Sequence, residues 1–171
     1  DSDNVLYIET SSDEEGDGFY TQEVYLADGT STTLDIDDGE YSGGALDSGF
    51  YTYGENEDGY YELDTPTALA SSGESYIWDE HSGVITGVTF DELYETLLTV
   101  TTSEDVTISD IETSGAAFID LHDADDYDGT IRSLSRLSTL IDNGTIETAT
   151  LALNVSDTGA VTVILTAVTA P

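Results

Sequence analysis

The densest group of residues that could do chemistry is the acidic stretch Asp123-Ala-Asp-Asp-Tyr-Asp-Gly129. Segments of this kind supply the carboxylate oxygens that Ca2+ and Mg2+ prefer as ligands. An EF-hand is excluded because, with Gly129 at the sixth loop position, the first position falls on Ala124 and the twelfth on Ser135. The stretch therefore predicts either a looser cation site or an acidic loop that caps the helix after it. The candidate ligands are Asp123, Asp125, Asp126 and Asp128.

The chain has only two cationic side chains, Arg132 and Arg136, and no lysine. Their spacing of four residues predicts that both lie on one face of the helix expected in this segment. Arginine binds carboxylates in a fixed, two-pronged geometry. We therefore predict that the two arginines pair with carboxylates at a contact between subunits.

Two segments match the Asp-Thr/Ser-Gly signature of aspartic proteases, whose paired carboxylates activate water. They are Asp47-Ser-Gly49 and Asp157-Thr-Gly159. The resemblance is incomplete, because a serine rather than an apolar residue precedes Asp157 and only a short strand follows it. We interpret Asp157-Thr-Gly159 as a hairpin turn.

The only histidines are His81 and His122, and no nucleophile accompanies either of them in the sequence. His122 and the adjacent acidic residues could ligate a divalent ion, but a zinc site usually needs three or four nitrogen or sulfur ligands. The chain also has no cysteine. We therefore predict no enzyme and no obligatory cofactor, with Ca2+ or Mg2+ in the acidic loop as the open alternative.

The charge balance dominates the composition, with 37 acidic residues against two basic ones and a formal net charge of -35. On a sphere of roughly 20 Å radius, which suits a compact chain of this length, that charge costs about 130 kcal/mol without salt. Screening lowers the cost to roughly 40 kcal/mol at about 0.1 M salt and to about 10 kcal/mol at roughly 3–4 M. The free energy of unfolding of a typical protein is only about 5–15 kcal/mol, which is less than the electrostatic cost at low salt. Concentrated NaCl or KCl is therefore expected to be required for folding.

Three classes of protein carry such an acidic composition: a disordered tail, a calcium-loaded secreted module and a protein of an extreme halophile. The 38% of hydrophobic residues and their periodicity argue against a disordered tail. The absence of lysine favours a protein of an extreme halophile. The long apolar stem of a lysine side chain adds hydrophobic surface, and high salt already strengthens the hydrophobic effect. In these features the whole chain resembles the salt-adapted proteins of haloarchaea, and in composition it is also similar to small virion structural proteins of haloarchaeal viruses.

The same charge restricts the partners and the location of the protein. A strongly negative field excludes nucleic acid as a direct partner and disfavours anionic membranes. The longest apolar run, Ala160–Ala170, is interrupted by threonines and is too short to span a bilayer, so we expect no membrane insertion. The expected location is extracellular or in a virion, in a high-salt environment.

Turn residues between apolar runs predict four β-hairpins and two further strands. The hairpins pair Tyr20–Leu26 with Thr30–Ile36, Phe50–Tyr53 with Tyr60–Leu63, Ser75–Asp79 with Val84–Val88, and Ala149–Val155 with Ala160–Val168. The strands are Val106–Ile111 and Ala116–Leu121. The last strand is nearly all apolar, which predicts a central position in a sheet or burial at an interface.

Two segments show helical spacing instead. Thr89-Phe-Asp-Glu92 has the form of a capping box, and apolar residues follow it at Leu93, Leu97 and Leu98. The second segment has an apolar stripe of Ile131, Leu134, Leu137, Leu140 and Ile141, and ends at Asn143-Gly144. Short helices are therefore predicted near 89–98 and 130–142.

The expected fold is mainly β, of the α+β class, with antiparallel, hairpin-rich sheets in a sandwich or barrel and two short helices. One domain over 1–171 is expected, or alternatively two lobes, with 1–88 all-β and 89–171 α+β. These features predict a non-enzymatic structural or assembly protein of an extreme halophile or its virus. Its role would be a capsid decoration, turret, spike or tail component that binds copies of itself and other structural proteins. The alternative is a secreted or cell-surface module that binds cations or carbohydrate.

Overall fold

The computed structural model of the chain describes residues 4–10, 14–41, 46–69 and 82–171. Within these residues the fold is mainly β, as predicted, with twelve strands, one α-helix and a 3-10 turn at Asp38–Glu40. The chain forms two compact units, Asp1–Thr67 and Ala68–Pro171. The predicted lobe boundary after residue 88 differs from this division, because it would cut the continuous strand Gly83–Tyr94.

The first unit contains six strands. They are β1 (Val5–Ile8), β2 (Glu14–Gly16), β3 (Phe19–Tyr25), β4 (Ser31–Asp37), β5 (Gly49–Glu55) and β6 (Tyr61–Asp64). The first two predicted hairpins are confirmed as β3–β4 and β5–β6. Their turns contain Asp28-Gly29 and Asp58-Gly59, in which each glycine has the positive φ that such turns require.

Five strands of this unit close into a barrel in the order β1-β5-β6-β4-β3, and β3 returns to β1 at the pair Tyr7 and Tyr25. β2 extends the sheet beyond β3. The pairs are antiparallel except for β4 and β6, which run parallel at Ile36 and Tyr61. Numbered along the chain, the barrel strands follow the order 1-2-3-5-4 and close on strand 1. A five-stranded Greek-key barrel is the architecture called the OB-fold.

The barrel interior combines aliphatic side chains with tyrosines. Its buried residues are Leu6, Ile8, Val24, Ile36, Tyr41 and Leu63. The ring of Tyr41 stacks on Tyr20 with 4.0 Å between ring centroids, and its hydroxyl donates to Oε1 of Gln22 at 2.8 Å. Burial and the neighbouring Tyr20 and Tyr51 raise the pKa of Tyr41 to about 12. Tyr41 is therefore a neutral, hydrogen-bonded core residue.

The second unit is one six-stranded sheet with a helix. Its elements are β7 (Gly83–Tyr94), β8 (Leu97–Thr101), β9 (Thr107–Glu112), β10 (Ala117–Asp120), α1 (Leu134–Asp142), β11 (Thr148–Ser156) and β12 (Gly159–Thr169). The strand order is β10-β12-β11-β7-β8-β9. Only the pair β10 and β12 is parallel within this sheet. The predicted hairpin of β11 and β12 is confirmed, whereas residues 75–79 of the third predicted hairpin lie outside the described residues.

The helix predicted near 89–98 is wrong, because this segment is the β7–β8 hairpin. A register shift between Phe90 and Glu92 marks a β-bulge, in which one strand holds an extra residue. The extra residue allows Phe90 and Leu93, three positions apart, to pack against the same core. A bulged strand thereby produced the spacing that normally indicates a helix.

The helix predicted near 130–142 exists but begins later, at Leu134. Ser133 is its N-cap and accepts a hydrogen bond from the backbone N–H of Arg136 at 3.1 Å. The backbone N–H of Ile131 instead donates to the Asp120 carboxylate at 2.8 Å, which holds residue 131 in the loop. The expectation that Arg132 and Arg136 share one helix face is therefore wrong, since Arg132 precedes the helix.

One apolar core unites the helix with the sheet. Leu134, Leu137 and Leu140 are the buried face of α1 and pack in the same cluster as residues of β7, β8, β9, β11 and β12. β12 lies between β10 and β11, and Thr162–Leu165 within it is buried without interruption. Of the two predicted alternatives, a central position in a sheet or burial at an interface, the structure shows a strand with a neighbour on each side.

Candidate functional site

The acidic loop predicted to bind a cation connects β10 to α1. Its four aspartates, Asp123, Asp125, Asp126 and Asp128, are exposed. The Asp123 carboxylate accepts the backbone N–H of Asp125 at 2.9 Å, and the Asp123 carbonyl accepts that of Asp126 at 3.1 Å. Over the described ranges, no three His, Asp or Glu side chains gather into a group that could hold a metal ion. The Ca2+ or Mg2+ site stays a prediction from the sequence.

The same loop is anchored by His122, which sits between two hydrogen-bond acceptors. Its Nδ1 contacts the Asp120 carboxylate, and its Nε2 lies 2.7 Å from the carbonyl oxygen of Tyr127. Because carboxylates and carbonyls only accept, this arrangement suits the protonated imidazole, in which both ring nitrogens donate. Burial lowers the pKa of His122, but the hydrogen bonds to Asp120 and Tyr127 and the charges of Asp120 and Asp126 outweigh it, so the pKa is raised. With no lone pair left, His122 in this arrangement is not a general base.

The structure places the described members of the other candidate catalytic groups in turns and loops. Asp157-Thr-Gly159 forms the turn between β11 and β12, as predicted, and Ser156 Oγ accepts the backbone N–H of Thr158 there at 3.2 Å. Asp47 belongs to the other compact unit, where its carbonyl accepts the Tyr51 hydroxyl at 2.7 Å. His81 lies outside the described residues. These segments supply turns and loop contacts in the structure.

The two arginines have different surroundings. Arg132 lies in the loop before α1, Arg136 lies in the first helical turn, and both are exposed. Neither forms an ion pair with a carboxylate of the described chain. Arg132 lines a cleft in the second unit, and Arg136 does not. The structure therefore separates the two residues that the sequence prediction had grouped.

The cleft is an open depression with a volume of about 390 Å3. Three segments form most of its lining: the β7–β8 turn, the connection from β9 into β10, and the residues that lead into α1. Its apolar residues are Leu93, Ala116, Phe118, Leu134 and Val163, and its polar residues are Glu95, Thr96, Thr113, Ser114, Arg132, Ser133 and Ser135. We call this set of twelve residues the Arg132 cleft.

One wall of the Arg132 cleft is fixed by hydrogen bonds between two turns. The backbone N–H and the hydroxyl of Thr113 both donate to the Thr96 carbonyl, at 2.9 and 2.6 Å. The Glu112 carboxylate accepts the backbone N–H groups of Thr113 and Ser114, both at 3.1 Å. Hydrogen bonds from the Thr96 side chain and from Ser114 lower the pKa of Glu112, against a smaller opposing effect of desolvation. The carboxylate therefore stays ionised and holds this wall in place.

The lining residues that lead into α1 present unused hydrogen-bond donors. Ser133 Oγ accepts the Arg136 N–H as helix cap, which leaves its hydroxyl proton free for another acceptor. Neither the Ser135 hydroxyl nor the Arg132 guanidinium makes a hydrogen bond to any described residue. The cleft thus combines one guanidinium, the carboxylate of Glu95, several hydroxyls and apolar side chains. The sequence signal that pointed here was the scarcity of arginine.

No protein-family model, curated protein or solved structure matches this chain. Among the described residues, no helix has both the length and the apolar character needed to cross a membrane. The functional conclusion consequently rests on the charges, burial and contacts of the chain itself.

Proposed function

We propose that the chain is a non-enzymatic structural protein of an extreme halophile or its virus, where it works exposed to brine. The observation that carries the proposal is the placement of the acidic side chains. In the described ranges, the buried polar residues are Gln22, Thr102, Asn154 and Thr162, and none is an aspartate or glutamate. The acidic side chains whose burial is described therefore all contact solvent, although the chain holds 37 acidic residues.

Such an acidic coat is suited to hold hydrated cations rather than to form internal ion pairs. The one ion pair among the described residues joins His122 to Asp120. Repulsion within the coat must consequently be reduced by dissolved salt, because the protein itself supplies almost no counter-charge. This need for screening supports a protein adapted to concentrated NaCl or KCl.

The absence of a catalytic role is supported by what the candidate groups do in the fold. His122 uses both ring nitrogens to hold a loop, and Asp157 lies in a hairpin turn. Nucleophilic catalysis with histidine needs a nucleophile in contact with a ring nitrogen that has a free lone pair. The named candidates of the described chain lack that arrangement.

We assign the protein to an assembly, as a capsid decoration, turret, spike or tail component, with copies of itself and other structural proteins as partners. Each compact unit has its own apolar core, which suits a rigid building block. Arg136 is exposed in the first turn of α1 and faces no carboxylate of the described chain, so it is available to a neighbouring subunit. Closed rings and trimers are common solutions for such subunits.

Light scattering of the purified chain in about 3 M KCl tests the assembly, because that salt screens the repulsion between copies. We expect a closed oligomer, and Arg136→Gln should weaken it. A monomer at every protein concentration would contradict the assembly role and favour the secreted cation- or carbohydrate-binding module. Circular dichroism on dialysis to low salt tests the habitat, since a chain that keeps its full structure there is not dependent on brine.

A further inference from the structure

The Arg132 cleft brings a guanidinium, hydroxyl groups and partly exposed apolar side chains into one small volume, and the carboxylate-bearing residue Glu95 is also among the lining residues. We propose that it binds a sugar acid, a monosaccharide unit that carries one carboxylate and several hydroxyl groups. This inference goes beyond the proposed assembly role and holds whether the chain is monomeric or assembled.

The carboxylate of the ligand is assigned to Arg132. A guanidinium presents donors in a planar fork that matches a carboxylate, and such charge-assisted pairs are stronger than neutral hydrogen bonds. Arg132 is one of two cations in a chain with 37 acidic residues, yet it forms no ion pair with any described carboxylate. Its charge is therefore available to a ligand at a site that also has defined walls.

The remaining lining residues fit a saccharide ring. A pyranose has an apolar C–H face and a rim of hydroxyls, which match the partly exposed apolar side chains of Leu93, Ala116 and Phe118 and the hydroxyls of Ser133 and Ser135. The volume of about 390 Å3 lies in the range typical of small-molecule sites. The wall at Thr96 and Thr113 is already held by internal hydrogen bonds, so little ordering is needed when a ligand binds.

Other ligand classes fit the same residues less well. A fatty acid needs an enclosed apolar tunnel, whereas more than half of the lining residues here are polar. A phosphate group usually needs several cations or a nest of backbone amides, and Arg132 is the single cationic side chain of this cleft. A single carboxylate on a hydroxylated ring matches one guanidinium and several serines or threonines.

The net charge of the protein gives this site an unusual salt dependence. The acidic coat repels any anion over a distance of about one Debye length, so salt removes this repulsion before it disrupts the direct contact with Arg132. We therefore expect the affinity for a sugar acid to increase with salt over the range of concentrations in which the chain is folded.

NMR titration of the 15N-labelled chain in about 3 M KCl tests the proposal, with sodium glucuronate as the probe. Glucose is the matched neutral sugar, and acetate is the matched carboxylate without a ring. We expect saturable shifts at the amides of Thr96, Ser114 and Ser135 with glucuronate. Glucuronate should bind at least about tenfold more tightly than glucose or acetate, which corresponds to about 1.4 kcal/mol.

The two arginines provide a matched pair of variants, because Arg132→Gln and Arg136→Gln remove the same charge from exposed positions four residues apart. Arg132→Gln should weaken glucuronate binding about tenfold, and Arg136→Gln should leave it within about twofold. Glucuronate shifts absent from the cleft, equal losses in the two variants, or equal affinity for acetate would each overturn the proposal. Because assembly is measured separately by light scattering, failure of one proposal leaves the other intact.

Discussion

The imidazole of His122 donates from Nδ1 to the carboxylate of Asp120, two residues earlier at the end of β10. The same carboxylate accepts the backbone N–H of His122 at 3.1 Å and that of Ile131 at 2.8 Å. Asp120 therefore binds both the beginning and the end of the acidic loop. Within a chain whose acidic side chains repel one another, the contacts of Asp120 with His122 and Ile131 hold this loop.

We predict that this contact makes the stability of the protein depend on pH near neutrality. The pKa of His122 is raised in the folded state above its ordinary value of 6.5. Its stabilising effect is fully present below the unfolded pKa and is lost as the pH rises through the raised folded pKa. Thermal unfolding in concentrated KCl should show a melting temperature that falls over this range, and His122→Gln should abolish that fall.

The control for this prediction is His81→Gln, which replaces the other histidine of the chain. The pH-dependent part of the melting temperature should persist in this variant. If the melting temperatures of the wild type and His122→Gln fell in parallel with pH, other titrating groups would cause the fall. The contact between His122 and Asp120 would then have no role in it. One kcal/mol corresponds to a shift of roughly 2–4 °C in a chain of this size, so calorimetry can resolve a modest effect.

Gly159, the first residue of β12, is predicted to be irreplaceable. It has a φ of 137°, and a Cβ atom added to it would lie 2.6 Å from the carbonyl oxygen of Glu112. Gly159→Ala should therefore cost about 2–3 kcal/mol of unfolding free energy, since backbone strain adds to a steric clash. Gly87, with a φ of 69° and open space around it, should cost about 1 kcal/mol on replacement by alanine.

Gly115→Ala completes this comparison, because Gly115 has neither a positive φ nor a neighbour within 4 Å of an added Cβ. Its unfolding free energy should change by less than about 0.5 kcal/mol. Denaturant unfolding at fixed salt measures all three variants. Equal losses at Gly87 and Gly159 would show that the contact with Glu112 relaxes freely.

Local signals in the sequence predict the described hairpins well. The parallel strand pairings and the bulged strand depend on contacts between distant segments, which local signals do not reveal. Asp28-Gly29 fixes the β3–β4 turn through its own backbone preferences, so two residues suffice to recognise it. The parallel pairings of β4 with β6 and of β10 with β12 join segments far apart in the chain, and no local pattern encodes them. The bulge between Phe90 and Glu92 accounts for the wrongly predicted helix, since an extra residue in a strand mimics helical spacing.

The candidate site was predictable only in part for the same reason. Arg132 stands out in the sequence because arginine is scarce. The apolar stripe begins at Ile131, however, and this pattern predicts that Arg132 lies in the helix. The Asp120 carboxylate captures the Ile131 N–H and delays the helix until Leu134, a tertiary contact that outweighs the local pattern. The cleft itself combines turns that lie tens of residues apart, so its existence follows from the fold alone.

The hydroxyl of Tyr41 is predicted to stabilise the barrel. Tyr41 is 5% exposed, and its hydroxyl donates to Oε1 of Gln22 inside the barrel. Tyr41→Phe keeps the ring that stacks on Tyr20 but removes this donor, and should cost about 1–2 kcal/mol of unfolding free energy. Tyr51→Phe is the matched control, because its hydroxyl donates to a carbonyl at an exposed position and should cost less than about 1 kcal/mol. Comparable losses in the two variants would contradict the assignment.

The acidic loop is predicted to contribute charge repulsion rather than a specific ion site. Replacing all four loop aspartates by asparagine removes four charges and retains an oxygen that can accept the Asp125 N–H in place of the Asp123 carboxylate. The matched variant removes four exposed charges from the barrel, through Glu55→Gln, Glu57→Gln, Asp58→Asn and Glu62→Gln. Both variants should lower the KCl concentration at half unfolding by a similar amount.

Calcium distinguishes this outcome from the cation site that the sequence allows. At constant ionic strength in concentrated KCl, millimolar Ca2+ should shift the melting temperatures of the wild type and both variants equally, because a diffuse acidic coat attracts divalent ions without a defined geometry. A site built from Asp123, Asp125, Asp126 and Asp128 would instead make the stabilisation by Ca2+ vanish in the loop variant and persist in the barrel variant. Mg2+ serves as the second probe, since its demand for near-ideal octahedral geometry separates a formed site from an ion atmosphere. Equal shifts for both ions in all three proteins would establish that these aspartates belong to the coat that makes the fold dependent on salt.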